Sequence, residues 1–313
     1  DVIEAADRLR IIGRAGVGVD NVDVPAATQR GVLVVNSPEG NTIAAAEHAL
    51  AMLLSVSRHV PQAHGSMRSG AWDRKKYVGN ELYKKILGVV GLGKIGSHVA
   101  RVAKAMGMDV IAFDPFISAE RAQQMQVRLT TLEALFQQAD YITLHIPRTP
   151  DTENLVNAEL LRTMKSTARI VNCARGGIVD EPAIAEAIES GVIAGAGLDV
   201  FASEPLAQDS PLRAVERGLV LTPHLGASTE EAQENVAVDV AEQIRDVLLG
   251  LPARSAVNIP GLSAEIMERL KPHLQLAETL GLLVSQLSGG QIQELEVRLQ
   301  GEFASHPSQP LVV

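Results

Sequence analysis

One stretch decides the fold: Ile86-Leu87-Gly88-Val89-Val90-Gly91-Leu92-Gly93-Lys94-Ile95-Gly96. An apolar run typical of a buried strand leads into a segment with helical spacing, and the junction carries the pattern G-x-G-x-x-G. Gly91 permits a tight turn, Gly93 lets the backbone approach a pyrophosphate, and Gly96 lets the helix pack closely on the strand. The stretch predicts a strand, turn and helix that bind a dinucleotide.

The next apolar run, Val110 to Phe113, ends at Asp114. A carboxylate at this place can accept hydrogen bonds from both ribose hydroxyls of an adenosine. A 2′-phosphate would face the same carboxylate, and Pro115 to Glu120 contains no Arg or Lys to receive it. Asp114 therefore favours NAD over NADP.

From residue 86 to residue 222, short apolar runs alternate with segments of helical spacing. This alternation predicts a parallel sheet covered by helices on both faces, the doubly wound (Rossmann) α/β fold. The predicted strands are Ile86 to Val90, Val110 to Phe113, Tyr141 to Ile146, Arg169 to Val171, Ile193 to Leu198 and Leu219 to Leu221.

The flanking segments repeat this pattern on a smaller scale. Two short apolar runs, Arg10 to Ile12 and Val32 to Val35, enclose a helix at Pro25 to Gln29. A long helix is predicted over 228–249, with Gly250 as its stop. Ala264 to Leu287 is expected to be helical with an interruption at Pro272. Beyond it, Leu295, Val297 and Leu299 alternate as in a half-exposed strand.

Composition excludes several classes of function. The 313 residues carry a net charge of −9 without a long basic run, which argues against a nucleic-acid partner. No apolar run reaches the roughly 18 residues that span a bilayer, so no membrane association is expected. The single cysteine, Cys173, favours a reducing compartment and hence the cytoplasm. Because residue 1 is Asp rather than Met, we expect a fragment that lacks sequence at both ends.

Three polar residues follow strands of the predicted sheet. Arg175, Glu204 and His224 come after the fourth, fifth and sixth apolar runs. Ligands of doubly wound sheets bind beyond the carboxyl ends of the strands, so these side chains are expected to converge. A guanidinium can hold a carboxylate, and a His steadied by a Glu can accept a hydroxyl proton. These are the groups needed to oxidise a hydroxy acid.

The residues around this trio resemble the D-isomer-specific 2-hydroxyacid dehydrogenases. The resemblance extends from about Val2 to Asn258, and the two runs Gly13 to Asp23 and Trp72 to Tyr77 narrow it to members that act on a phosphorylated substrate. The matching motifs are Asn172-Cys173-Ala174-Arg175-Gly176-Gly177-Ile178-Val179-Asp180, Leu198-Asp199-Val200-Phe201 through Glu204-Pro205, Pro223-His224-Leu225-Gly226-Ala227-Ser228-Thr229 and Gly13-Arg14-Ala15-Gly16-Val17-Gly18-Val19-Asp20-Asn21-Val22-Asp23.

The resemblance implies a role for each matching residue. Arg175 would anchor the substrate carboxylate, His224 would be the acid/base, and Glu204 would orient it. The implied cofactor contacts are Val17, Gly91, Gly93, Lys94, Ile95, Gly96, Asp114, Ile146, Cys173, Ala174, Asp199, Gly226 and Ala227. The implied substrate contacts are Arg14, Gly16 and Gly18, with Arg74 and Lys75 as candidates for the substrate phosphate. The alternative for Arg74 and Lys75 is a solvated basic loop.

The resemblance also implies a domain plan. An NAD-binding Rossmann domain is inserted in a smaller flavodoxin-like substrate domain, and a third α+β domain begins near the end. The predicted division is 1–38 (substrate domain, first segment), 39–227 (NAD domain with a linker and dimerisation helix), 228–256 (return helix of the substrate domain) and 257–313 (partial third domain). His48 is assigned to the helical segment Ala44 to Val56, interpreted as linker and dimer surface. No metal site is expected.

The implied activity is NAD-dependent oxidation of 3-phospho-D-glycerate to 3-phosphohydroxypyruvate, the first step of serine synthesis, by a homodimer or homotetramer. One alternative is another dehydrogenase of the family, acting on glyoxylate, hydroxypyruvate or D-lactate. A remote alternative is an NAD-sensing protein similar to a transcriptional corepressor.

Overall fold

The computed structural model describes residues 2–259 and 264–288. The described residues fall into two compact units. One is formed from the described parts of Asp1–Asn41 and Gln233–Val313, and the other is Thr42–Ala232. The predicted strand at Leu295, Val297 and Leu299 lies outside the described residues.

Helices and strands alternate over most of the described chain. The chain begins with α1 (Val2–Ala5), β1 (Ile11–Arg14), α2 (Val24–Gln29) and β2 (Leu33–Asn36). It continues with α3 (Thr42–Arg58), α4 (Val60–Arg68), β3 (Ile86–Val90), α5 (Lys94–Ala105), β4 (Asp109–Phe113), α6 (Ala119–Gln124), β5 (Arg128–Leu129), α7 (Leu132–Gln138), β6 (Tyr141–Leu144), α8 (Ala158–Arg162), β7 (Arg169–Asn172), α9 (Glu181–Glu189), β8 (Gly195–Leu198), β9 (Leu219–Leu221), α10 (Glu230–Leu248) and α11 (Ala264–Leu287). Short 3-10 turns lie at Arg74–Tyr77 and Pro211–Arg213.

The larger unit is built on a seven-stranded sheet with the order β5-β4-β3-β6-β7-β8-β9. Every pairing in it is parallel. The order reverses direction between β3 and β6, which is the switch point where doubly wound sheets bind ligands. The predicted doubly wound parallel sheet is therefore confirmed.

The smaller unit contains a parallel pair, β1 and β2. Its core is small and centres on Ile3, Ala27, Val32 and Val34. The chain after α10 returns to β2, where Asn258 accepts from the Val34 N–H at 2.8 Å and donates to the Val32 carbonyl at 2.9 Å. These bonds hold the segment near Asn258 beside β2.

Helix α3 belongs to the core of the larger unit. Nine of its residues are buried, and it packs on β7, β8 and β9 as well as on α5. The buried stripe of α3, which includes Met52 and Leu53, therefore covers the sheet of its own unit. The interpretation of Ala44 to Val56 as linker and dimer surface stays a prediction for the exposed side of the helix, where Leu54 lies. An apolar stripe alone does not distinguish a helix that covers its own sheet from one that covers a partner.

Several predicted boundaries need correction. Helix α11 runs through Pro272 without a break, because proline removes one N–H and leaves the hydrogen bonds on either side. The apolar runs overestimate β6 and β8, since residues such as Ile193 are buried beyond the strand. The two-residue edge strand β5 was too short to predict. Among the described residues, no helix is both long and apolar enough to cross a bilayer.

The glycine-rich turn between β3 and α5 depends on two close backbone approaches. Gly91 has φ of +93°, and a Cβ on it would lie 2.6 Å from the His145 carbonyl oxygen at the end of β6. A Cβ on Gly96 would lie 2.0 Å from the Gly91 carbonyl oxygen. Backbone atoms cannot move aside as a side chain can, so helix and strand meet at a distance that only glycine allows.

This contact predicts that Gly96→Ala destabilises the larger unit, because the methyl group would push α5 away from β3. We expect a loss of about 1 to 3 kcal/mol in the free energy of unfolding, measured by urea titration. Gly65→Ala is the matched control, since Gly65 lies in α4 and a Cβ there meets nothing within 4 Å. The control should be neutral or stabilising, and equal unfolding curves for both variants would contradict the packing explanation.

Candidate active site

The predicted site residues of the larger unit lie after the carboxyl ends of its strands. Because all these strands are parallel, their carboxyl ends share one edge of the sheet. Along that edge are Asp114 after β4, Gly91 to Gly96 after β3, Ile146 after β6, Cys173, Ala174 and Arg175 after β7, Asp199 and Glu204 after β8, and His224, Gly226 and Ala227 after β9.

Glu204 and His224 form a directly bonded pair. The Nδ1 atom of His224 lies 2.7 Å from Oε2 of Glu204, and the side chains are 50% and 37% exposed. The other oxygen of Glu204 accepts the Phe201 N–H at 3.0 Å, so the carboxylate itself is held by the backbone. His224 has φ of +55°, a left-handed conformation that is uncommon for a residue with a side chain. Such strain is often found at functional sites.

Arg175 lies on a loop that Asn172 organises. The buried amide of Asn172 accepts the Ala174 N–H at 3.0 Å and donates to the Arg175 carbonyl at 2.9 Å. Gly176 comes so close to the segment carrying Glu204 that a Cβ would lie 1.7 Å from the Phe201 carbonyl oxygen. The loop of Arg175 therefore packs against the segment that leads to Glu204.

Asp199 is a fully buried carboxylate at the end of β8. Its Oδ1 accepts the Thr222 hydroxyl at 2.5 Å and the Leu225 N–H at 2.8 Å, and it lies 3.1 Å from Nε2 of His48. Its Oδ2 accepts the Gly226 N–H at 2.9 Å. Burial acts to raise the pKa of Asp199, but these hydrogen bonds outweigh it and hold the pKa below its usual value. Asp199 is therefore ionised at neutral pH.

The turn after β3 fits a dinucleotide. A Cβ on Gly93 would meet nothing within 4 Å, so the space in front of this residue is open. Gly93 is the N-cap residue of α5 and has no side chain to cap the helix. The backbone N–H groups at such a helix N-terminus attract phosphate. Asp114 accepts the Leu92 N–H at 2.7 Å and the Phe116 N–H at 2.8 Å, so it also orders the turn.

Two further groups at this edge stay uncharged at neutral pH. Burial, with a contribution from Asp199, raises the pKa of the Cys173 thiol far above its usual value. Although His145 as a residue is only partly buried, desolvation of its ring lowers its pKa to about 4. The ring of His145 bonds the hydroxyl of Thr143 at 2.9 Å. Neither group is therefore expected to exchange protons near pH 7.

The remaining predicted residues lie elsewhere in the chain. These include Arg14, Gly16, Val17 and Gly18 of the smaller unit, where Arg14 is the last residue of β1 and the other three lie on the loop that follows. There Ser37 donates its N–H to the Gly16 carbonyl at 3.0 Å, and Asn36 donates to the Val17 carbonyl at 2.7 Å. Arg74 and Lys75 are exposed on the 3-10 turn Arg74–Tyr77 of the larger unit.

The structure adds residues that the sequence patterns did not single out. His48 lies in the middle of α3, far from any strand end in sequence, and its role is visible only through its contact with Asp199. Asn172 is the last residue of β7 and Thr222 directly follows β9, so a position at the end of a strand was a usable signal for both. Among the described residues, one group combines side chains with metal-ligand chemistry, namely His48, Cys173 and Asp199.

A family model for the NAD-binding domain of D-isomer-specific 2-hydroxyacid dehydrogenases matches residues 50–226. The chain belongs to the D-isomer-specific 2-hydroxyacid dehydrogenase family. The matched residues are the NAD-binding domain of that family, in agreement with the open glycine turn and with Asp114.

Curated relatives cover the whole chain. It is 66% identical over all 313 residues to a D-3-phosphoglycerate dehydrogenase of Synechocystis, and 48% identical over 97% of its length to one of Archaeoglobus fulgidus. The chain spans 56% and 58% of the length of these two relatives.

Solved structures share the fold. The TT0316 protein of Thermus thermophilus superposes with a TM-score of 0.76 at 38% identity, covering 82% of this chain and 81% of that one. A D-lactate dehydrogenase of Aquifex aeolicus, complexed with NAD and lactic acid, superposes with a TM-score of 0.73 at 28% identity and covers 81% of each chain.

The low pKa of His145 predicts a pH dependence of stability. The unfolded ring titrates near 6.5 and the folded ring near 4, so the unfolded state binds more protons between these values. The contribution of His145 is complete above pH 6.5 and is lost as the pH falls towards 4. Urea unfolding at pH 7.5 and pH 5 should show the protein less stable at pH 5. His145→Gln, which cannot titrate, should reduce this difference, and an unchanged difference would contradict the assignment.

Proposed function

We propose that the chain carries the catalytic part of an NAD-dependent dehydrogenase that oxidises 3-phospho-D-glycerate to 3-phosphohydroxypyruvate. The observation that carries the proposal is the Glu204–His224 pair, 2.7 Å apart and half exposed at the edge where the NAD-binding turn also lies. The substrate follows from relatives named D-3-phosphoglycerate dehydrogenase, one of them 66% identical over the whole chain. The product would enter serine synthesis.

The hydrogen bond to Glu204 determines which ring nitrogen of His224 reacts. Because the carboxylate accepts, Nδ1 carries the proton in the neutral ring and Nε2 is the basic atom. Nε2 then takes the C2 hydroxyl proton of the substrate as the hydride leaves C2. Glu204 stabilises the imidazolium that forms, and the Phe201 N–H keeps the carboxylate in place.

Arg175 is the group suited to the substrate carboxylate. A guanidinium forms paired hydrogen bonds with a carboxylate. Asn172 orders the loop of Arg175, and Gly176 of that loop packs against Phe201 in the segment that leads to Glu204. When bound, NAD supplies the hydride acceptor. Gly93 and the start of α5 would approach its pyrophosphate, in the turn that Gly91 and Gly96 allow, and Asp114 would hold its adenosine ribose. By resemblance alone, we assign its remaining contacts to Lys94, Ile95, Ile146, Cys173, Ala174, Asp199, Gly226 and Ala227.

The test is NADH formation by the purified protein, followed at 340 nm. 3-Phospho-D-glycerate should be oxidised faster than D-lactate or glycolate. His224→Gln should lower kcat by about 10²-fold or more, since a general base contributes about 10² to 10⁴. NADH binding, measured by fluorescence, should stay unchanged in this variant.

Each other outcome has a distinct meaning. Near-full turnover by His224→Gln would contradict the assigned base. A preference for D-lactate or glycolate would identify another dehydrogenase of the family, and so would faster NADH consumption with glyoxylate or hydroxypyruvate than with 3-phosphohydroxypyruvate. Tight NADH binding with very slow turnover on every substrate would favour the NAD-sensing corepressor reading.

The substrate phosphate requires cations of its own. The chain carries a net charge of −9, so a trianionic substrate depends on a few placed positive groups. Arg74 and Lys75 are exposed and adjacent, next to the 74% exposed Trp72. Val60, Met67 and Val78 are exposed apolar side chains in the same part of the chain. We propose that this surface joins two copies of the chain and brings Arg74 or Lys75 to the partner's substrate.

Replacing both Arg74 and Lys75 with Ala should therefore raise KM for the phosphorylated substrate by at least about tenfold, the effect of losing one charged hydrogen bond. KM for D-lactate should change little. Arg121→Ala with Arg162→Ala removes the same charge from exposed positions elsewhere and serves as control. An equal change in KM for both substrates would support the solvated-loop interpretation.

Other assignments also stay proposals. We assign the smaller unit to substrate binding, with Arg14, Gly16 and Gly18 as contacts, and we retain the domain boundaries predicted from the sequence. A homodimer or homotetramer and a cytoplasmic location are likewise predictions, the latter resting on the single cysteine.

A further inference from the structure

We propose that His48 of helix α3 is a positioning residue for the reaction: it holds the buried Asp199 carboxylate, which in turn holds the loop of His224. The proposal rests on the dehydrogenase function proposed above and adds a residue to it. Among the described residues, no hydrogen bond or ion pair joins His48 to Glu204 or His224, and its ring bonds Asp199 and the neighbouring Thr222 instead.

The hydrogen-bond directions at this cluster are determined by chemistry. Asp199 is ionised and can only accept. The Thr222 hydroxyl points its hydrogen at Oδ1 of Asp199, so towards His48 its oxygen also accepts. Nε2 of His48 lies 3.1 Å from Oδ1 and 3.2 Å from the Thr222 oxygen. Nε2 must therefore carry a proton and donate it into this pair of acceptors.

Asp199 transmits this constraint to the loop after β9. Its carboxylate accepts the N–H groups of Leu225 and Gly226, and its backbone carbonyl accepts the His224 N–H at 2.8 Å. His224 is thus held from its own N–H and from the two residues that follow it. The left-handed backbone of His224 needs such support, because a residue with a side chain does not adopt it freely.

His48 helps to stabilise the buried negative charge of Asp199, a role that packing alone does not require. Asp199 is fully buried, and a buried carboxylate needs all its donors to remain ionised. The nearby Cys173 thiol brings no charge that could balance Asp199, since burial and Asp199 itself keep the thiol protonated and neutral. Removing the His48 donor takes away one of four donors to the carboxylate. Asp199 then shifts towards the remaining donors and moves the His224 loop with it.

Two substitutions separate hydrogen bonding from packing. His48→Leu still fills the space on α3 but offers no hydrogen-bond donor. In His48→Gln, the amide nitrogen of Gln can replace Nε2 as the donor. Val56→Ala is the control, since Val56 is buried on α3 and is not bonded to Asp199. kcat, KM for 3-phospho-D-glycerate, Kd for NADH and Tm are measured for each.

We expect His48→Leu to lower kcat by about tenfold or more, as for a lost hydrogen bond to a charged group, with KM for 3-phospho-D-glycerate within about twofold. His48→Gln should restore most of kcat, and Val56→Ala should lower Tm without lowering kcat. A fall in kcat that follows Tm across all three variants, a failure of His48→Gln to rescue, or an effect on Kd alone would overturn the proposal.

A second measurement does not depend on turnover. The ring ¹⁵N shifts of His48, assigned by comparison with His48→Gln, should show a proton on Nε2. A neutral ring protonated on Nδ1 would overturn the proposal even in an active enzyme. A wild-type protein with the expected His48 signal but no dehydrogenase activity would instead contradict the proposed function.

Discussion

Asp199 is a buried negative charge whose donors come from three directions, and the arrangement of the candidate site depends on it. Thr222 reaches it from the end of β9, His48 from α3, and Leu225 and Gly226 from the loop that carries His224. A carboxylate removed from water is stable only while these bonds are made. Because the buried charge is unfavourable without these donors, the helix, the strand end and the loop that supply them are held in one geometry.

The parallel sheet explains why a few short contacts suffice to assemble the site. Its strands end at one edge, so each loop meets its neighbours as soon as it leaves the sheet. Two of the points where backbones approach so closely that only glycine fits are Gly96 against Gly91 and Gly176 against Phe201. The first contact shapes the NAD-binding turn, and the second joins the loops of Arg175 and Glu204. Main-chain packing thus determines the positions of side chains distant in sequence.

The sequence predicted the features that local pattern encodes. Alternating runs predicted the parallel sheet, and the position of His224 and Glu204 after strands predicted their convergence, which the 2.7 Å bond shows. It did not predict His48, because a histidine inside an apolar helix has the same pattern whether it faces solvent, a partner or a buried carboxylate. That distinction depends on which face of α3 covers the sheet, a tertiary property. The predicted interruption at Pro272 is also absent. Proline removes one backbone hydrogen bond, and the other hydrogen bonds keep the 24 residues of α11 helical.

The three histidines near the strand ends show how surroundings assign different chemistry to one residue type. His145 has a pKa of about 4 because its ring is desolvated, so it stays neutral and serves packing and one hydrogen bond to Thr143. His48 has its Nε2 committed to an ionised carboxylate and its neighbour. His224 alone of the three combines 50% side-chain exposure with a carboxylate on Nδ1. A substrate proton needs a base that is both reachable and oriented, and only His224 meets both conditions.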